Sequence, residues 1–296
     1  MTGFLGEIGN KLADRWAALL AIPGLLYLVA VTAAAVLGQV RALSYPDLNR
    51  KITAWAASPA LKSAGGTVLI VAAVLAGSVV AGLAAAAGGR FIEILWTLPG
   101  RRAPARWLAG WRRNRSQKAK AIADDPGSTP AQVRKAMAQA DRICLIRADR
   151  PTWIGDRLRA CHVRIEQTYG LDLNATWPRL WLTVPDKVRT ELSSARDAFS
   201  DAARLTAWAI LYLLLGIWWW PAILIALITG AIAAIRARLT TANLADLIES
   251  AVDLHGRDLA VQLEENLTAP ITPAVGAVLT SRMRKSRWDP GSSLAD

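Results

Sequence analysis

The sequence contains few of the residues from which active sites are usually built. Only two cysteines and two histidines occur in 296 residues, which excludes a disulfide-stapled scaffold and most zinc sites. Neither a glycine-rich phosphate loop nor a Gly-x-Ser-x-Gly nucleophile motif is present, and Gly65-Gly66 and Gly88-Gly89 border an apolar run. Cys144 and Cys161 are expected to be buried thiols, and His162 with Glu166 a surface pair. We therefore expect no enzyme activity, catalytic residue, metal site or cofactor.

Charge is also scarce in this chain. Asp, Glu, Lys and Arg make up 20% of the residues, whereas 53% are hydrophobic. Soluble domains are about 25% charged. This composition excludes a disordered chain and a water-soluble enzyme with a single core, and it indicates an integral membrane protein. The 35 basic residues exceed the 23 acidic ones, which leaves a formal charge of +12.

Apolar runs predict an all-α protein with about four transmembrane helices: residues 16–40, 63–89, 203–220 and 221–238. The last two divide one stretch that is too long for a single span. Trp218, Trp219, Trp220 and Pro221 lie in its middle and predict a hairpin turn, because tryptophan favours the membrane interface and proline the first turn of a helix. The remaining segments are 1–15, an external loop 41–62, a basic helical domain 90–202, and an acidic amphipathic helix with a flexible tail, 239–296.

Small residues recur in the second predicted span. Ala73, Gly77 and Ala81 follow one another at every fourth position, as do Ser78 and Gly82. This spacing predicts close helix packing. Chance spacing in an alanine-rich segment is the alternative.

Basic residues determine the predicted orientation. Residues 101–120 contain eight of them and no acid: Arg101, Arg102, Arg106, Arg112, Arg113, Arg115, Lys118 and Lys120. The positive-inside rule places this segment in the cytoplasm. A hairpin at 203–238 also keeps Arg236 and Arg238 inside, whereas a single span would export them. We therefore predict a multi-pass protein of the cytoplasmic (inner) membrane with both termini cytoplasmic. The four basic residues of loop 41–62 oppose this orientation.

The insert between the second and third spans is expected to contain helices only. Residues 104–123 predict a basic helix with Trp107, Leu108 and Trp111 on one side. A second helix is expected to begin at Thr152 and to end at Gly170, and others to begin at Trp177-Pro178 and Val184-Pro185.

Two charged surfaces are the candidate binding sites. The basic one, residues 101–120 with Trp107 and Trp111, is predicted to bind anionic lipid headgroups or a protein partner. The acidic one lies on the last helix: Asp246, Glu249, Asp253, Asp258, Glu264 and Glu265. The basic segment could instead only set topology, pair with the acidic face, or bind nucleic acid, for which we find no recognition helix.

One stretch resembles a known family. The segments Arg150-Pro151-Thr152-Trp153-Ile154-Gly155-Asp156-Arg157-Leu158-Arg159-Ala160, Tyr169-Gly170-Leu171-Asp172 and Trp177-Pro178-Arg179-Leu180 resemble a signature of actinobacterial-type integral membrane proteins. The sequence departs from it at Trp153 and Asp156, where Arg and Asn are expected. The resemblance implies a hairpin membrane anchor beside a helical cytoplasmic unit and implies no activity.

Two functions remain open from the sequence. The first is a non-enzymatic membrane anchor or scaffold that recruits a cytosolic partner or assembly. Assembly of the protein into a homo-oligomer also remains open. The second is a pore-forming effector of a toxin or defence system, activated by a partner, which oligomerises through Ala73, Gly77 and Ala81. The spans lack acidic residues, which disfavours a carrier of charged solutes.

Overall fold

The fold is all-helical over the residues that the computed structural model describes: 21–57, 63–100, 103, 105–143, 149–263 and 272–284. These ranges contain ten α-helices and no strand. They are α1 (Ile22–Leu37), α2 (Tyr45–Ala56), α3 (Ala64–Thr97), α4 (Ala105–Asp124), α5 (Pro130–Ile143), α6 (Trp153–Tyr169), α7 (Leu173–Thr183), α8 (Asp186–Leu215), α9 (Pro221–Gln262) and α10 (Pro273–Arg284).

Three of these helices, α3, α8 and α9, are long and apolar enough to cross a membrane. The fourth apolar helix, α1, has 16 described residues, and the first part of the predicted span 16–40 lies outside the described residues. The long helices continue beyond the predicted spans. For example, α8 begins at Asp186, directly after the predicted start at Val184-Pro185, and it continues to Leu215 because neither proline nor glycine interrupts the chain between these residues.

A break between α8 and α9 separates the third apolar stretch into two helices. Residues 216–220 form the turn, and Pro221 begins α9 as predicted. A Cβ atom at Gly216 would collide with the side chain of Ile223, so glycine lets that side chain pack closely against the turn. A Cβ atom at Gly230 would lie 3.7 Å from that of Ala209, which shows that α8 and α9 pack side by side.

The chain forms two compact units. The first, called the apolar unit, comprises the described residues of Met1–Glu93 and Ser200–Arg236. Here α1 packs on the helical hairpin through Ala30, Ala34, Leu215 and Ala222. At Gly24 of α1, a Cβ atom would collide with the carbonyl oxygen of Ser78 on α3, so glycine brings the two backbones into contact.

The second unit, called the polar unit, comprises the described residues of Ile94–Phe199 and Ala237–Asp296. Its core lies among α6, α7, α9 and α10, and the most buried members include Cys161, Leu171, Leu180, Ala260 and Leu279.

The sequence predicted α6 correctly. Thr152 caps its first turn by accepting a hydrogen bond from the Gly155 amide, and Gly170 ends it in a left-handed conformation with φ of 68°. In contrast, the predicted helix start at Trp177-Pro178 is wrong. Asp172 caps α7 several residues earlier, and Pro178 lies inside the helix. The carbonyl that Pro178 leaves without a donor belongs to Asn174, which is exposed to solvent.

Candidate interaction surfaces

The basic helix α4 divides into an inward and an outward side. Arg112 and Arg113 are engaged within the polar unit: Arg112 Nη1 lies 2.6 Å from Asp156 Oδ2, and Arg113 Nη2 lies 3.1 Å from Asp149 Oδ1. The other described members of the predicted basic surface are exposed: Arg106, Trp107, Trp111, Arg115, Lys118 and Lys120. Arg101 and Arg102 lie outside the described residues.

Asp156 is the centre of a buried hydrogen-bond network. Its Oδ1 atom accepts from the amides of Asp149 and Arg150, at 3.2 and 3.0 Å. Arg112 also donates to the carbonyl oxygens of Ile143 and Arg150, at 2.5 and 2.8 Å. Because Asp156 and Arg112 both have hydrogen-bond partners, their buried charges are compensated. The network fixes the segment that precedes α6, residues 149–152.

The same segment is attached to the end of α3. Thr152 Oγ1 donates to the Trp96 carbonyl at 2.6 Å, and Arg150 donates to the Thr97 carbonyl. A Cβ atom at Gly155 would collide with the Trp96 carbonyl, so the close approach requires glycine. The residues of the sequence signature therefore join the exit of α3 to the start of α6.

The acidic face of α9 pairs with α6. Arg157 contacts both Asp246 and Glu249, and Arg164 Nη2 lies 2.6 Å from Glu249 Oε1. Tyr169 donates to Asp253 at 2.8 Å. Asp246, Glu249 and Asp253 therefore contact α6, and within the described part of the chain no ion pair joins them to the basic helix α4. Asp258 contacts His255 at 3.3 Å, and Glu264 and Glu265 lie outside the described residues.

An apolar trough opens on the surface of the polar unit. It has a volume of about 810 Å³, and its walls come from α6, α7, α8 and α9: Leu158, Trp177, Pro178, Trp181, Leu192, Ser193, Arg196, Asp197, Leu244 and Ile248. A shallower depression of about 610 Å³ continues it past Trp181 towards Asp186. No pattern in the sequence indicated this trough, because its lining residues come from four helices that are distant along the chain.

The tryptophans of the hairpin turn differ in their surroundings. Trp219 packs against α1 and donates from Nε1 to the Ala42 carbonyl at 2.9 Å, whereas Trp218 and Trp220 are exposed. The side chain of Gln39 caps the turn. Its Nε2 donates to the carbonyls of Gly216 and Ile217, at 3.0 and 2.7 Å, and its Oε1 accepts from the Trp220 amide at 3.1 Å.

The small residues of α3 lie on more than one side. Ser78 and Gly82 are buried in the apolar unit, Gly77 and Ala81 are partly buried, and Ala73 is exposed. A Cβ atom at Gly77 would lie 3.1 Å from Leu28 of α1. The contacts within the chain therefore use mainly the Ser78 side of the helix.

Two titratable groups of α6 have shifted pKa values. Burial, with a contribution from Glu249, raises the pKa of the Cys161 thiol to about 12. Burial first, and then the charge of Arg150, lowers the pKa of His162, although Asp172 and Glu166 oppose this shift. Among the described residues, no group of three or more His, Cys, Asp or Glu side chains is arranged to hold a metal ion.

Comparisons with protein-family models, with curated proteins and with solved structures found no match.

Proposed function

We propose that the protein is a non-enzymatic anchor of the cytoplasmic membrane that tethers a cytosolic protein partner or assembly through its polar unit. In this proposal α1, α3 and the apolar parts of α8 and α9 are the four spans, and both termini are cytoplasmic. The support is the presence of three helices with the length and composition of a span, together with the eight basic residues that follow α3.

The apolar trough formed by α6, α7, α8 and α9 is the observation that carries this proposal. Trp177 and Trp181 lie 6.0 Å apart between ring centroids and remain partly exposed beside an apolar floor. Tryptophan is enriched among the residues that contribute most to protein–protein binding. An apolar surface of this kind, rimmed by Arg196 and Asp197, suits a partner helix with an apolar face.

The trough is also held in shape by contacts outside it. Ion pairs of Arg157 and Arg164 with Glu249 join α6 to α9, and both helices contribute to its walls. A preformed surface loses less conformational entropy on binding.

Site-specific crosslinking in the native membrane tests the proposal. A photoreactive residue replaces Ser193 in the trough or, as the matched control, exposed Gln167 on α6. We expect one defined cytosolic protein to be captured from Ser193 and not from Gln167. The substitution Trp181→Ala should weaken that capture by tenfold or more, because a binding hot spot contributes about 2 kcal/mol. Equal capture at both positions, or none at either, would contradict the proposal.

A second candidate function rests on the first half of α3. Residues 67–76 are exposed on every side of the helix within the described part of the chain. A second copy could cover this surface, and we propose a pore-forming effector, activated by a partner, as the alternative function. Expression should then depolarise cells, and Ala73→Phe should abolish the effect while Ala87→Phe, at another exposed position of α3, should not. Unchanged membrane potential on expression of the wild-type chain in its own host, where the activating partner is present, would exclude it.

A further inference from the structure

We infer that the outward face of α4 lies on the headgroup surface of an anionic membrane leaflet. This face consists of Arg106, Trp107, Leu108, Trp111, Arg115 and Lys118, all of which are exposed. The inference rests on one part of the proposed function, namely that α3 crosses the membrane.

The burial pattern separates this face from the rest of the helix. The inward residues Ala105, Ala109, Ser116 and Ala119 are buried at helical spacing, and Arg112 lies on the same side. On the other side, 72% of Trp107 and 54% of Trp111 are exposed. Two large aromatic residues and a leucine beside exposed basic residues are typical of a helix that lies in a membrane interface.

The charge of the face fits an anionic surface. The sequence from 105 to 123 contains no acidic residue. Within the described ranges, no ion pair joins Arg106, Arg115 or Lys118 to an acid. The guanidinium of Arg115 lies 5.5 Å from the centroid of the Trp111 ring, which places a cation and an indole side by side. Each basic residue near an anionic leaflet contributes about 1 kcal/mol to attachment.

Chain length keeps α4 close to the membrane. Its first residue, Ala105, follows the end of α3 at Thr97 after seven residues, which can span at most about 25 Å. A helix tethered in this way meets the leaflet at high effective concentration. A nucleic acid could also attract the cations, but it would leave the apolar side chains of Leu108 and Ile122 in water.

A fluorescent label on the outward side of α4 tests this inference in the full chain. Asn114 lies between Trp111 and Lys118 and is exposed, so Asn114→Cys carries an environment-sensitive dye. Cys144 is replaced by serine, and Cys161 stays unlabelled because it is fully buried. The labelled protein is reconstituted in nanodiscs of phosphatidylcholine alone or with increasing phosphatidylglycerol. We expect a blue shift of the dye only with phosphatidylglycerol, and its reversal at high salt.

Two variants with the same loss of charge make the test specific. Arg115→Gln with Lys118→Gln should weaken attachment about thirtyfold, which corresponds to about 2 kcal/mol. The control, Arg134→Gln with Lys135→Gln on the neighbouring helix α5, should leave it unchanged. Equal effects of both pairs, or the same dye spectrum in both lipids, would overturn the inference. A blue shift produced by an oligonucleotide in neutral nanodiscs, with no response to phosphatidylglycerol, would assign the face to nucleic acid and also overturn it.

Extraction of membranes with alkaline carbonate distinguishes a failure of this inference from a failure of the proposed membrane anchor. A chain that stays in the membrane but shows no lipid-dependent shift would contradict only the assignment of α4. A chain that is released would contradict the anchor itself.

Discussion

Arg112 and Asp156 form a buried ion pair, in which Arg112 Nη1 lies 2.6 Å from Asp156 Oδ2 and the two side chains are 11% and 4% exposed. The two residues are 44 positions apart in the chain. Arg115, only three residues further along α4, is exposed. The basic segment therefore contains two kinds of residue. Some stabilise the polar unit from within, and others remain on its surface.

Removal of the buried cation should destabilise the polar unit strongly. We expect Arg112→Gln to lower the free energy of unfolding by about 3–5 kcal/mol, because Asp156 would stay buried without its partner. Arg134→Gln, at an exposed position of α5, is the control and should change it by less than about 0.5 kcal/mol. Thermal unfolding in nanodiscs and hydrogen exchange of residues 149–157 measure both effects. Equal stability of the two variants would show that the pair is unimportant for the fold.

The contribution of Gln39, which caps the hairpin turn, to the free energy of unfolding should also be measurable. We expect Gln39→Leu to lower the free energy of unfolding by about 1–3 kcal/mol, because the substitution removes three hydrogen bonds to the turn. Val40→Ala provides a neighbouring control, since Val40 is 98% exposed. Faster amide exchange at Trp220 in the Gln39 variant alone would confirm the role of this side chain, and unchanged exchange would refute it.

The contact between α1 and α3 depends on the absence of a side chain at Gly24. We expect Gly24→Ala to destabilise the apolar unit by about 1–3 kcal/mol, because the added Cβ atom collides with the Ser78 carbonyl. Gly65→Ala on α3 adds the same methyl group where no atom lies within 4 Å and should be tolerated. Comparison of the two thermal midpoints in the same nanodiscs tests the contact, and similar midpoints would exclude it.

His162 should make the stability of the polar unit depend on pH. Its pKa in the folded protein is lowered from 6.5 by burial and by Arg150, so the unfolded chain binds a proton more readily. Its contribution is complete above about pH 6.5 and decreases as the pH falls from there towards the folded pKa.

We therefore expect a lower free energy of unfolding at pH 5 than at pH 7.5, and a smaller difference in the variant His162→Gln. Denaturation of both proteins at the two pH values provides the measurement. An identical pH dependence of the two proteins would show that His162 is not responsible.

Asp172 should make the stability of the polar unit depend on pH in a more acidic range than His162 does. Burial acts to raise its pKa, but the hydrogen bonds from Arg284 and from the Asn174 amide outweigh burial and leave the pKa below 3.8. Its contribution is present above the unfolded pKa and is lost as the pH falls through the folded one. We expect Arg284→Gln to raise the pKa of Asp172, measured by NMR titration of the carboxyl, and to increase exchange in α10. An unchanged pKa would contradict the role of this ion pair.

Local signals in the sequence determined the helical class and several helix ends. Thr152 and Gly170 predicted the ends of α6, and the turn at 216–220 was expected from its tryptophans and Pro221, because capping, turns and apolar runs act over a few residues. The start of α7 was predicted wrongly at Pro178, because the cap at Asp172 is supported by contacts with α10.

Only the tertiary structure decided which charges are internal. Arg112 and Arg115 carry the same charge on the same helix, yet one pairs with Asp156 and the other faces outward. The pairing of Arg157 with Asp246 joins residues 89 positions apart, and the trough requires four helices to meet. Electrostatic and packing energies depend on distance in space, so a pattern along one helix cannot assign a partner that another helix supplies.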